Sequence, residues 1–236
     1  MKMTIVQHLS ELKKRILWIM LFFAGAAVVG FFVAPFVQEI LLQPLIASWP
    51  GGTILYTRVT DGLLIEFKLA LLFAIFATLP FVIYHLWRFV RPGLHKNEQR
   101  LILPMLVLSP VLFICGAAFA YFVIFPVIFE FFISLNHARA MPSMLLPAAA
   151  DYLDFTIGLL RAFGLAFQLP LVLVLLNRVG VLSRTSVVKS RKFAIVGIFA
   201  AAAVLTPPDI MSQILLALPL LALFEISILF MKKERM

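Results

Sequence analysis

LILPMLVLSPVLFICGAAFAYFVIF, residues 101–125, decides how this chain folds. It contains no charged side chain, none follows before Glu130, and Arg100 stands immediately in front of it. As a helix, 25 residues rise about 37 Å, more than the roughly 30 Å hydrocarbon core of a bilayer. Such a run reads as a membrane-spanning helix, with Pro110 and Pro126 as positions where it kinks or ends.

The same reading extends in both directions. Further apolar runs lie at about 16–36, 63–87, 153–177, 193–206 and 210–231. The whole chain of 236 residues is 63% hydrophobic and 13% charged. Soluble domains carry about 25% charge and about 45–50% apolar residues, so too little polar surface exists here to cover a water-soluble globule. The expectation is an all-α integral membrane protein, a single membrane domain of six transmembrane helices with no separate soluble domain. The fifth run is short: fourteen residues rise about 21 Å. With the sixth it is expected to form a hairpin around Pro207, Pro208 and Asp209. Residues 3–15 are expected to form a separate amphipathic surface helix, with Val6, Leu9, Leu12 and Ile16 as its apolar stripe and Thr4 and Gln7 at capping-box spacing. The run at 16–36 is longer than a signal-peptide core of 7–15 residues and is expected to remain as a span.

Charge gives the orientation. Sixteen of the twenty Lys and Arg residues fall into four clusters: Lys2 to Arg15, Arg88 to Arg100, Arg178 to Lys192, and Lys232 to Arg235. With Glu11, Glu98 and Glu234 among them, these clusters carry +13, and everything else carries −4. Positive loops mark the cytoplasmic side, so both termini are expected there, against anionic lipid. A nucleic-acid partner has no need of such sidedness. Cys115 is the only cysteine, which excludes an intrachain disulfide, and it is expected to be a small buried core residue.

Polar groups at membrane depth are few, and such groups indicate function. Gln168 and Glu225 each lie about sixteen residues into a descending span and are expected at similar depth, lining a shared polar pocket or joined across two helices. Lys68 and Arg161 are expected to snorkel or to pair with Glu66 and Asp154. Glu11 and Arg15, four residues apart, have ion-pair spacing. Glu98 suits the start of a helix. There is no phosphate-binding glycine loop, HExxH or CxxC, and the four histidines are scattered, so no catalytic residue, metal site or cofactor is expected and the chain does not read as an enzyme.

Several strings, taken together and in order, resemble the TatC family, the multispanning component of the twin-arginine protein translocase. They are HLSELKKR (8–15), WRFVRPGL (87–94) followed by Glu98, AFAYF (118–122), AFGLAFQLP (162–170), LTPPD (205–209) and LFEI (223–226). The resemblance implies recognition of twin-arginine signal peptides on folded cargo. It also implies movement of that cargo across the cytoplasmic membrane with single-span TatA- and TatB-type partners, in an oligomeric complex driven by the proton-motive force. It assigns signal-peptide binding to Glu11 and Glu98, with Lys13, Phe89, Pro92, Leu94 and Arg100 around them. Gln168 and Glu225 carry over as the intramembrane polar positions, and Thr206, Asp209 and Gln213 as contacts to partner helices. The chain departs from many relatives in having Lys13 for Arg and Gln168 for Glu. Ala148 also replaces an acid before the fourth span, with Asp151 nearby.

Net attraction does not explain recognition of two arginines by so basic a surface. Two carboxylates at a fixed separation do, because each accepts a bidentate guanidinium contact that Lys satisfies less well. The competing reading from residues alone is a small-solute secondary transporter or channel, for which polar groups near the midplane are suited. The missing internal repeat and the scarcity of deep charge pairs weigh against it.

Overall fold

A computed structural model describes residues 5–48, 54–90, 96–137, 148–205 and 210–232. Among them the regular secondary structure is helix, with no strand and one isolated bridge between Leu55 and Ala148. The helices are α1 (Ile5–Ser48), α2 (Asp61–Val90), α3 (Lys96–Phe119), α4 (Phe125–His137), α5 (Ala149–Ala166), α6 (Gln168–Arg178), α7 (Arg184–Lys189), α8 (Arg191–Leu205) and α9 (Ile210–Phe230). A π-helical turn, Ala120–Ile124, joins α3 to α4. Among the described residues, five helical stretches are long and apolar enough to cross a membrane. The remaining apolar helix, α8, has 15 residues and rises about 22 Å, short of a full hydrocarbon core.

Prolines account for most departures from the expected boundaries. The expected surface helix at 3–15 and span at 16–36 are one element, since α1 runs unbroken through Pro35 and Pro44 to Ser48. Thr4 lies outside the described residues, as does the side chain of Gln7. The third apolar run continues to His137 because the π turn absorbs Pro126. Proline has no N–H for the carbonyl four residues back and crowds it, and widening the turn relieves both problems. Phe125 N–H accordingly bonds to Ala120 O. The fourth run instead breaks at Phe167 into α5 and α6, three residues before Pro170, which has no N–H for the carbonyl of Ala166.

The chain forms two compact units, Met1–Gln38 with Leu63–Pro110, and Glu39–Gly62 with Val111–Met236. In the first, α1 and α2 touch at backbone distance. A Cβ on Gly30 would lie 2.7 Å from Ala70 O, and Phe22 stacks on Phe81 with ring centroids 4.6 Å apart.

In the second unit the fully buried side chains include Phe125, Ile128, Leu153, Phe163, Leu216 and Ile228. Gly116 admits the α5 backbone, since a Cβ there would lie 2.4 Å from Phe163 O. Helix α9 packs against both α6 and α8, the latter forming the expected hairpin. Two phenols clamp the end of α1. Tyr121 and Tyr152 each donate at 2.7 Å, to Ile40 O and Leu41 O respectively.

Outward faces are apolar: Phe32 is 80% exposed, Phe122 73% and Val204 85%. An exposed surface of this kind needs lipid, not water, as its solvent. Cys115 belongs to that face. It is exposed beside the equally exposed Val111 and Ile114, whereas Phe113, Gly116 and Ala117 turn inward, so the expected burial is corrected. A thiol is apolar enough to sit against lipid without penalty.

Candidate functional site

The basic end of the first unit is built from α1 residues 9–18 and α2 residues 81–89. Glu11 and Arg15 are one helical turn apart, and Arg15 donates from both Nε and Nη2 to Glu11 Oε1. The pair is largely enclosed, Arg15 being 12% and Glu11 25% exposed. Glu11 Oε2 is buried and has no hydrogen-bond partner among the described residues. A carboxylate oxygen desolvated in this way is costly unless something donates to it, which makes it a receptor for a cationic donor.

His85, which sequence reasoning dismissed, lies beside this pair. Its ring packs on Phe81 with centroids 4.3 Å apart and edge-on to Tyr84 at 5.5 Å, and its Nδ1 is buried without a partner among the described residues. Arg15 and Arg88 both lie within electrostatic reach of it. Arg88 donates to Tyr84 OH at 3.4 Å and stands 5.9 Å from the centre of its ring. Lys13 is exposed and Phe89 partly buried. Pro92 and Leu94 lie outside the described residues. Glu98 and Arg100 belong to the start of α3, with side chains outside the described set.

A second polar group lies in the other unit. Lys232 N–H bonds to Asn177 Oδ1 at 2.7 Å, which brings the C-terminal ends of α6 and α9 level. Counting back nine residues on α6 and seven on α9, Gln168 and Glu225 lie about 14 Å and about 10 Å from that tie, so they share a depth to within one turn. The side chain that meets Glu225 is Arg191 at the start of α8, with Nη2 2.7 Å from Oε2 and both side chains about half exposed. Arg184 Nε donates to Ile228 O at 3.1 Å, satisfying a terminal carbonyl of α9 and opposing its dipole. Arg191, Arg184 and Asn177 were missed in the sequence. The first two belong to a basic cluster, and nothing local distinguishes a topology charge from one folded back onto a helix.

The connection between α6 and α7, which leads to these cations, is hydrogen-bonded throughout its turn. Val181 N–H bonds to Leu176 O and Gly180 N–H to Asn177 O, with Gly180 at φ +83°, which closes α6 in a Schellman turn. Ser183 then caps α7 by accepting from Ser186 N–H at 3.0 Å. Gln213 ties the α8–α9 hairpin by donating to Phe199 O at 3.0 Å. Thr206 and Asp209, at its tip, lie outside the described residues. Arg161 is exposed and donates to Ile157 O of its own helix. No cluster of His, Cys, Asp or Glu fit to hold a metal occurs among the described residues.

Comparison with known proteins bears on this arrangement. A family model described as Sec-independent protein translocase protein (TatC) matches residues 7–219. The chain is 40% identical over 233 residues to the Sec-independent protein translocase protein TatC of Azotobacter chroococcum mcd 1, covering 97% of this chain and 89% of that one. It is 36% identical over 227 residues to the protein of the same name from Escherichia coli (strain K12), covering 96% and 87%. A solved structure described as the twin arginine translocase receptor TatC in DDM matches with a TM-score of 0.86 at 34% identity, over 95% of this chain and 99% of that one.

Proposed function

Since the chain belongs to the TatC family of Sec-independent protein translocases, we propose that it is the membrane receptor for twin-arginine signal peptides and, with partner subunits, carries folded cargo across the cytoplasmic membrane. It is a multi-pass membrane protein, and no catalytic constellation enters this reading. The observation that carries it is the Glu11 carboxylate: one oxygen is engaged by Arg15 and the other is enclosed and unmet among the described residues.

An incoming guanidinium donates to Oε2, or displaces Arg15 and takes both oxygens in a bidentate contact. Because the site is largely desolvated, this contact contributes more than the roughly 0–1 kcal/mol of an exposed pair. Glu98, early in α3, supplies the second carboxylate, and Lys13, Phe89, Pro92, Leu94 and Arg100 form the rim. The surrounding positive field disfavours any cationic segment that does not reach both acids. Gln168, Glu225 and Arg191 form a polar level in the membrane. Thr206, Asp209 and Gln213 at the α8–α9 hairpin meet single-span TatA- and TatB-type helices, in an oligomeric assembly energised by the proton-motive force. Anionic lipid holds the basic rim.

The test is binding of a twin-arginine peptide and its twin-lysine counterpart to the full chain in nanodiscs. Glu98→Gln and Glu11→Gln should each weaken the twin-arginine peptide far more than the twin-lysine one. Equal losses for the two peptides would overturn the bidentate reading.

A further inference from the structure

A groove of about 730 Å³ runs along the first unit between α1 and α2, walled by Trp18, Phe22, Gly25 and Val29 on one side and Phe73 and Phe81 on the other. Trp18 to Val29 spans eleven residue steps, about 17 Å of helix, and the walls are almost wholly apolar, which suits a hydrocarbon chain.

One end of the groove is cationic. Lys14 is four residues before Trp18 and so shares its face of α1, while Arg88 is seven residues after Phe81 on α2. Both are exposed, and neither forms an ion pair among the described residues. Arg15 is paired with Glu11, so among the described residues Lys14 and Arg88 are the exposed cations on these two helix faces that are in no ion pair. Trp18, half exposed there, has the amphipathic ring that settles at headgroup level.

We propose that this groove is a binding site for an anionic phospholipid, with acyl chain along the Trp18–Val29 wall and phosphate between Lys14 and Arg88. The lipid bridges α1 and α2 where the two helices are held by the Phe22–Phe81 stack, next to the Glu11–Arg15 pair. It deepens the proposed contact of the basic rim with anionic lipid and rests on that part of the reading; Lys14 and Gly25 are not among the residues assigned to the peptide, while Arg88 stands at the same basic end.

The experiment uses the full purified chain and a phosphatidylglycerol carrying a photoreactive diazirine on one acyl chain. Crosslinks are expected within residues 18–29 and at Phe73 and Phe81, competed by unlabelled phosphatidylglycerol and not by an equal concentration of phosphatidylcholine. Each cation near an anionic headgroup contributes about five-fold in affinity, so Lys14→Ala with Arg88→Ala should weaken phosphatidylglycerol binding about thirty-fold. Gly25→Phe fills the groove; a Cβ there meets no atom within 4 Å, so the protein should fold normally while groove labelling is lost. Equal competition by phosphatidylcholine overturns the proposal, as does labelling that survives Gly25→Phe in a protein of unchanged thermal stability. So would a photoreactive twin-arginine peptide that labels the same residues through its apolar segment, since the groove would then belong to the peptide.

Discussion

Replacing Tyr121 with Phe tests how α1 passes through a proline without breaking. Pro44 has no N–H, so Ile40 O loses its helical donor, and the Tyr121 hydroxyl takes that place at 2.7 Å. Removing the hydroxyl leaves the carbonyl unmet in a low-dielectric setting. Such a loss costs about 1–3 kcal/mol in protein interiors, and interhelical bonds in membranes average nearer 0.6 kcal/mol. A cost of about 1 kcal/mol is therefore expected for Tyr121→Phe. The sharper test is the cycle with Pro44→Ala. Alanine at 44 restores an N–H that can reach Ile40 O, so in that background Tyr121→Phe should cost only a few tenths of a kcal/mol, a coupling of about 0.5–1 kcal/mol. Tyr152→Phe is the control. Its acceptor is Leu41 O, whose helical donor position is Leu45 and not a proline, so its cost should not depend on residue 44. Reversible unfolding in mixed micelles measures all of these variants. If Pro44→Ala and Tyr121→Phe are additive within about 0.3 kcal/mol, the proline-rescue argument is wrong.

Other outcomes follow from contacts already described. Gly116→Ala should cost about 1–3 kcal/mol by thermal denaturation, since its Cβ would meet the Phe163 backbone at 2.4 Å, whereas Gly197→Ala, with nothing within 4 Å, should stabilise by up to about 1 kcal/mol. Asn177→Ala removes the bonds to Leu182 O and from Lys232 N–H; expected is a loss of about 1–3 kcal/mol, with faster proteolysis after residue 230. Arg191→Glu combined with Glu225→Arg should recover transport lost in either single variant if the pair acts as a unit, and transport assays with both singles and the double decide this.

The hydrophobic runs and their lengths were legible because a bilayer leaves a long uncharged segment little choice but a helix. That argument marked the apolar runs and the shortness of α8, but not where the helices end, since α1 and the third run both extend past the expected bounds. It failed at the end of α1, expected near residue 36 but found at Ser48 beyond Pro44, where a distant phenol meets the carbonyl that the proline leaves without a donor, and at Cys115, where residue type says buried and helix phase says lipid. At the candidate site, the Glu11–Arg15 pairing was visible as i, i+4 spacing. That Glu11 Oε2 has no partner among the described residues, and that His85 is adjacent, were not legible, since both depend on α2 lying against α1. Glu225 shows the same limit. Its depth, level with Gln168, followed from counting residues, but its partner Arg191 came from a loop read only as topology charge.

By itself, then, the sequence determined the solvent of this protein and its helices, because transfer of apolar side chains between water and lipid is set residue by residue. Tertiary structure alone decided which carbonyl each tyrosine meets, which cation faces Glu225 and which carboxylate oxygen is left open. Those outcomes depend on desolvated groups from distant segments being brought within 3 Å of one another, and no local pattern encodes that distance.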